Sequence, residues 1–385
     1  MIIRRTYISV LLSIAILIVS AQDSINITDN LVIVFAGDIM GHDTQIKGAY
    51  VDSLGTYNYE PTFRYIKDYI SSSDIAVANL EVTLAGKPFK GYPQFSSPDE
   101  LAFAAKDAGF DIMLTANNHA LDRGGEGLER TLIMLDSLNF ARIGTYKDSA
   151  DRNAICPLIV EKNNIRIAFL NYTYGTNGLV VQEPYLINRI NKDQITRDID
   201  KAKSADSDYI ICTIHWGKEY ERTENLAQNE LAEYIIAQGA HAIIGSHPHV
   251  VQPVEYIMSV SSDTSLKCPV FYSLGNFVSN QRAQYKDGGI VAELHISMID
   301  SVVNLDSIAY LPYWVYREDN SEKSTFYVVP VAKYEADSTL IDFSEDDLWK
   351  FNRFQSDTRS HLNIKESNFY IRDVKPMKVQ QDSIQ

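Results

Sequence analysis

A chain of 385 residues is longer than one small core needs, which points to one large domain with additions or to two domains. With 45% hydrophobic and 22% charged residues it reads as globular rather than disordered. A formal charge of −15 argues against a nucleic-acid backbone or an anionic membrane surface as a general partner, while leaving room for a local basic pocket.

At the N-terminus Arg4 and Arg5 precede an apolar run over 8–19, and Val19-Ser20-Ala21 supplies small residues before Gln22 and Asp23. That order is a secretory signal, with cleavage expected after Ala21 and a periplasmic or cell-surface destination; left uncleaved, it would be an N-terminal anchor. The three cysteines, Cys156, Cys212 and Cys268, sit in or beside apolar runs and read as small buried hydrophobes rather than a disulfide framework.

The first predicted strand, 31–36, runs into Gly37-Asp38 and a loop holding Gly41, His42 and Asp43. Pro61 suits a first helical turn, and Phe63, Ile66, Tyr69 and Ile70 follow at helical spacing. A strand over 75–78 then ends in Asn79-Leu80-Glu81, where Asn79 and Glu81 share one side of an extended chain. After a loop at 91–95, Ser97-Pro98-Asp99-Glu100 opens a helix with a Ser cap, closed by Gly109. The strand 112–116 delivers Asn117-Asn118-His119, then Asp122-Arg123-Gly124-Gly125, then a helix striped by Leu128, Leu132, Leu135 and Leu138.

Further strands are expected at 165–170, 209–214, 242–244 and 270–274, with helices at 191–205 and 226–238 between them. The strand 209–214 ends in His215-Trp216-Gly217, the next in Gly245-Ser246-His247-Pro248-His249, and the last in Gly275-Asn276. Beyond Asp300 the pattern changes to apolar runs at 310–316 and 326–331 and a capped helix at 344–352. Residues 301–385 therefore read as a C-terminal extension that packs on a domain spanning 22–300 or binds something.

Each buried-strand run is followed at once by polar, small or metal-capable residues. Strands separated by helices predict an α/β fold, and ligands collect at the strand ends of such sheets. Asp38, Glu81, Asn118, His215, His247 and His249 are expected to converge there. Imidazole suits Zn, Fe or Mn, and oxygen ligands suit Mg or Mn, so the mixed set predicts one or two divalent ions. Such ions would supply the local positive charge that an acidic chain lacks for holding phosphate. A lone His at a strand end is more often a hydrogen-bonded residue than a ligand, yet four of the eight histidines, including His119, fall at these ends. His42, His241, His295 and His361 read as structural. Tyr92, Arg123, Lys218 and Glu219 are candidates to orient an anionic substrate, against the plainer reading of solvated charges, and Asn79 and Asn276 join them as substrate-binding candidates.

Together, Gly37-Asp38, Asn79-Leu80-Glu81, the run from Ala116 through Asn117, Asn118 and His119 to Asp122, His215-Trp216-Gly217-Lys218-Glu219-Tyr220, Gly245-Ser246-His247-Pro248-His249 and Ser273-Leu274-Gly275-Asn276-Phe277 resemble the CapA family of capsule and poly-γ-glutamate synthesis proteins. The resemblance covers 31–294. That family is similar to calcineurin-like metallophosphoesterases, which implies a sandwich of two sheets flanked by helices. It also implies Asp38 as ligand of a first metal, Glu81 as bridging carboxylate, Asn118, His215 and His247 around a second metal, and His249 returning to the first. His119 would be the general acid. Met40 stands where the phosphoesterase pattern has a His, so the first metal site is a ligand short. Asn79-Leu80-Glu81 replaces a bridging Asp after Gly, and the acid expected directly after the catalytic His is displaced to Asp122.

The expected function is an exported protein in synthesis, anchoring or export of an anionic surface polymer, acting beside membrane partners and leaning towards a metal-dependent hydrolase. The alternatives are an exported phosphoesterase for a small phosphoester and a non-catalytic, polymer-binding assembly component.

Overall fold

The structure, a computed structural model, describes residues 27–260, 265–320, 323–362 and 364–366. The export signal expected at 1–21 lies outside these residues. Among the described residues no helix is long and apolar enough to cross a membrane.

Two sheets face one another. Strands β1 (Ile27–Ile39), β2 (Ile75–Leu80), β3 (Ile112–Leu114) and β4 (Ala141–Ile143) run parallel in the first. The second contains β5 (Leu158–Lys162), β6 (Ile165–Thr173), β7 (Tyr209–His215), β8 (Ala242–Ser246), β9 (Val254–Val260) and β10 (Ser265–Phe271). Its order is β9-β10-β8-β7-β6-β5, with β6, β7, β8 and β10 parallel. The chain then returns to the first sheet through β11 (Asn276–Val278), β12 (Gly288–Ile299), β13 (Val302–Asp319) and β14 (Ser324–Pro330). The first sheet reads β14-β13-β12-β1-β2-β3-β4, with β11 parallel to the end of β1.

The uninterrupted apolar runs follow from burial on both faces. Along β1, Leu31, Ile33 and Phe35 enter the core shared with Phe169 and Ile211 of the second sheet, while Val34 and Ala36 face an outer core with Phe63, Leu101 and Phe110. That alternation is the period of two that a strand imposes. Phe35 and Phe169 meet across the sandwich at 6.3 Å between ring centroids. Cys156, Cys212 and Cys268 are free and buried.

Three local expectations are corrected. The helical spacing around Pro61 forms two short helices, Glu60–Phe63 and Lys67–Ser71, rather than one. The helix Glu100–Asp107 forms without the Ser97 cap. Asp99 instead grips the Arg130 guanidinium at 2.7 and 2.8 Å, and Glu100 accepts from Thr56, so the acids of the proposed cap are drawn into tertiary contacts. The strand expected at 270–274 starts earlier and stops at Phe271.

Position 300, read from sequence as a domain edge, is a hairpin turn. Asp300 and Ser301 both have positive φ, as a two-residue hairpin loop requires, and join β12 to β13 with Ile299 opposite Val302. The apolar runs after 300 are thus strands of the first sheet. The helix Glu345–His361, with Ser344 accepting from the Asp347 N–H, packs Phe351 and Phe354 against Trp314 of β13.

Candidate metal centre

The site sits where the parallel strands of both sheets end. On β1, Asp38 lies opposite Asn79 of β2 on one side and Asn276 of β11 on the other. Gly37 lets the β11 approach come this close, because a Cβ there would collide with the Gly275 carbonyl that accepts from the Asp38 N–H at 3.1 Å. In the second sheet, His215 ends β7 opposite Ser246 at the end of β8. His247 and His249 follow with φ of +98° and +58°, left-handed values that aim two nearby imidazoles into one cluster.

Two groups of donor atoms result, Asp38, Glu81 and His249, and Glu81, His215 and His247. Within each, the atoms lie within 4.8 Å of one another, and Glu81 belongs to both. His249 Nδ1 is 3.2 Å from Asp38 Oδ2, and Glu81 Oε1 is 3.4 Å from His215 Nε2 and 3.9 Å from His249 Nε2. Asn118 Oδ1 lies 2.7 Å from His215 Nε2, while Ser246 Oγ orients the other ring nitrogen at 2.9 Å.

All six side chains are buried. Neither Glu81 oxygen and no protein atom at His247 Nδ1 makes a hydrogen bond among the described residues. A buried carboxylate without donors is costly, and a cation between the two groups would satisfy it together with the orphan imidazole nitrogen. The donor set of carboxylate, imidazole and amide oxygen therefore fits one or two divalent ions.

Without an ion the donors divide in protonation: His215 and His247 favour the neutral form that ligates, while Glu81 and His249 favour the protonated form, so ion binding would displace protons there. Burial, followed by the charge of Asp38, raises Glu81 well above the usual carboxyl range. Burial would also raise Asp38, but the hydrogen bond and charge of His249 hold it low. Burial pushes His215 down to about 3 and His247 down to about 2, leaving both neutral as metal ligation requires. Burial pulls His249 down, yet the charges of Glu81 and Asp38 outweigh it and lift it to about 9.

His119 stands beside both groups but belongs to neither. Its Nδ1 is 2.7 Å from Asp122 Oδ2, which also accepts from the Phe95 N–H at 2.7 Å. The Phe95 ring meets the imidazole edge-on at 4.7 Å. Burial lowers the His119 pKa, but the Asp122 hydrogen bond and the charges of Glu81 and Asp122 together outweigh it and leave the ring above its ordinary value.

The remaining sequence candidates divide. Asn79 and Asn276 are buried: Asn79 donates to Asp38 at 2.7 Å, and Asn276 donates to the carbonyls of His249 and Lys286 while its own Oδ1 has no hydrogen-bond partner among the described residues. Met40 is buried in the outer core and contributes its backbone, donating to the Val278 carbonyl and accepting from Gln45. Tyr92 is 70% exposed. Arg123 reaches the Pro88 carbonyl and lines a separate cavity of about 260 Å³ with Glu126 and Arg130. Lys218 is exposed and paired with Glu221 at 3.2 Å, whereas the exposed Glu219 acts on His249 and His215 through its charge.

Of the histidines read as structural, His241 accepts from the Ile210 N–H, His295 pairs with Glu293 and His361 bonds the Arg222 carbonyl. His42 contacts Gln45 and the Phe95 ring, and His249 and His119 depress it further after burial.

Sequence reasoning missed Tyr174. It follows β6 directly, 4.6 Å from the His247 ring and parallel to His215 at 6.3 Å; the strand expected at 165–170 runs on to Thr173, and that longer strand would have placed Tyr174 at its end. Asn177, on the same loop, accepts from Asn118 at 3.2 Å. Tyr174 and Asn177 line a cavity of about 660 Å³ with Leu179, Tyr185 and Arg189. Tyr220 was within a quoted motif but not singled out, and its ring lies 6.1 Å from His249.

Residues 32–281 match the family described as bacterial capsule synthesis protein PGA_cap. The chain is 29% identical over 276 residues to the capsule biosynthesis protein CapA of Bacillus anthracis, covering 68% of this chain and 63% of that one. It is 30% identical over 265 residues to the PGA biosynthesis protein CapA of Bacillus subtilis (strain 168), covering 64% and 63%. It thus spans less than two thirds of the length of either relative. Among solved structures, the NAD nucleotidase NadN of Haemophilus influenzae aligns over 86% of this chain and 60% of its own, with a TM-score of 0.50 and 13% identity, a likeness of fold alone. The fold is the helix-flanked, two-sheet sandwich expected of calcineurin-like metallophosphoesterases. With the family match running from β1 through β11, most of the described fold, the chain belongs to the bacterial capsule synthesis protein PGA_cap family.

Proposed function

We propose that this protein is exported and acts through a divalent-metal centre on an anionic surface polymer such as poly-γ-glutamate, in its synthesis, anchoring or export. The observation that carries the metal reading is the pair of Glu81 oxygens and the His247 nitrogen, buried without a hydrogen bond among the described residues where two donor groups meet. Family membership supports the polymer, and the N-terminal order of charge, apolar run and small residues supports export.

Asp38, Glu81 and His249 would hold one ion, and Glu81, His215, His247 and Asn118 a second. When bound, such ions supply Lewis acidity towards a carbonyl or phosphoryl oxygen and lower the pKa of water. Because Met40 supplies no donor, the first group rests on three side chains. His119 serves as general acid: Asp122 holds Nδ1, so proton exchange with the leaving atom runs through Nε2. Tyr174 covers His215 and His247 and limits water at that face.

The test is metal content of the purified mature chain, wild type beside His247→Ala and Asp38→Ala. One or two equivalents, lost in the His247 variant, support the reading. A folded wild type that takes up neither Mn nor Zn refutes it.

A further inference from the structure

Two loops close over the His249 side of the centre. One, at 217–224, carries Tyr220 and Arg222; the other, at 279–287, carries Tyr285 and Lys286. They are joined by a reciprocal pair of cation–π contacts. The Lys286 ammonium lies 3.9 Å from the centre of the Tyr220 ring, and the Arg222 guanidinium 4.0 Å from that of Tyr285. Both tyrosines hold left-handed backbone, φ +70° and +72°, a conformation that side-chain-bearing residues keep only where the surroundings impose it.

The surroundings here are hydrogen-bonded from both sides. The Tyr220 N–H donates to the Pro248 carbonyl, between the two clustered histidines, at 2.8 Å. Asn276, opposite Asp38, holds the Lys286 carbonyl at 2.9 Å. From outside, the helix Glu345–His361 ties both loops: Asp357 accepts from Arg222 at 3.2 Å and from Gln284 at 2.8 Å.

The charges differ in what they are free to do. Lys218 is committed to Glu221, whereas the Lys286 ammonium rests on a ring that also lies beside His249 and Glu219. An ammonium has three donors, and a π face occupies one side of it, so the remaining N–H groups suit an oxyanion. Glu219 places negative charge at the same mouth, acting on Tyr220 and His249, so an anionic ligand needs a local cation to enter.

We propose that Lys286, seated on Tyr220 and held in place by the Arg222–Tyr285 contact and the C-terminal helix, binds an oxyanion of the substrate at the rim beside His249. This rests on the polymer reading above, and the oxyanion is a carboxylate of the polymer, in a γ-linked glutamate chain the free α-carboxylate, or a phosphate.

The experiment is calorimetric titration of the full mature chain with a γ-linked glutamate oligomer and, separately, with inorganic phosphate, at low and high salt. Wild type is compared with Lys286→Gln, Lys286→Arg and Glu219→Gln, and metal content and thermal unfolding are recorded for each. Lys286→Gln should weaken one of the two probes about tenfold, the loss of one charge-assisted hydrogen bond, and Lys286→Arg should recover most of it. Glu219→Gln, at an exposed position, should bind that probe more tightly, and salt should shrink both differences. Loss for the oligomer identifies a carboxylate, and loss for phosphate alone identifies a phosphoryl group. Equal binding by wild type and Lys286→Gln, or no binding of either probe by wild type, overturns the proposal. A metal-free wild type whose Lys286→Gln variant still loses oligomer affinity refutes the metal centre and keeps the rim; a metal-loaded protein with unchanged binding refutes the rim alone.

Discussion

Glu81→Gln separates a cation site from a cluster that is merely polar. The carboxylate is fully buried, neither oxygen makes a hydrogen bond of ordinary geometry among the described residues, and Asp38 disfavours its charged form by repulsion and by favouring a proton shared between the two carboxyls. Its folded pKa is raised, so the stability it allows when protonated is lost as pH rises through that value, and at neutral pH an ion-free fold carries the penalty. Leaving a buried polar group unsatisfied costs about 1–3 kcal/mol, more for a charge, offset here in part by the raised His249 at 3.9 Å. In chelator, the isosteric amide should therefore stabilise the fold by about 1–2 kcal/mol. With Mn or Zn the order should reverse, because wild type gains about 2.7 kcal/mol at a hundredfold excess over Kd and the variant does not. Urea denaturation at neutral pH, with chelator and with metal, measures both. If Glu81→Gln is destabilised equally in the two conditions, the carboxylate has a protein partner and the orphan-oxygen reasoning is wrong.

Other outcomes follow from single contacts. His119→Ala should keep the metal content of wild type, since His119 lies outside both donor groups; loss of metal would move it into the ligand set. His241, stacked on Tyr209 and accepting from the Ile210 N–H, is lowered to about 4 by burial and then by Lys203. Its contribution is complete above the unfolded value of 6.5 and is lost as pH falls towards 4, by up to about 3 kcal/mol, so His241→Gln should flatten that part of the urea-stability profile. An unchanged slope would refute this. Phe35→Ala, at the meeting of the two sheets, should cost about 3–5 kcal/mol of unfolding free energy, and a loss below about 1 kcal/mol would mean the sheets do not pack there. A chain ended after Asp300 should fail to fold, because β12 loses its neighbour and exposes a long edge; a soluble, cooperatively melting product would show that the boundary is real.

Much of the site was legible because its signals are local. An apolar run followed at once by Asp38, Glu81, Asn118, His215 or His247 is a strand meeting a polar edge, and parallel strands bring such edges together whatever their distance in sequence. Tyr174 obeys the same rule after Thr173, but the apolar run that marks the strand ends at Leu170, three residues short of the true strand end. For Asn79 and Asn276, read as substrate-binding candidates, the period of two shows only which side of a strand a residue takes. Whether that side meets ligand or a neighbouring strand depends on register: Asn79 is held on Asp38, while Asn276 donates to the Lys286 carbonyl and keeps a buried Oδ1 that has no hydrogen-bond partner among the described residues.

By itself the sequence determined the strands, the helices between them and the residue types at the strand ends, since periodicity and chemistry are written within a few residues. Only the tertiary structure decided that the segment beyond Asp300 completes the first sheet. The hydrogen bonds of β13 and β14 go to strands chosen by long-range pairing, and Asp300-Ser301 carries no strong hairpin signal in its residue types. Tertiary structure likewise placed Lys286 on Tyr220 and Arg222 on Tyr285. A cation finds an aromatic face through the approach of two loops, and no pattern within either loop specifies it.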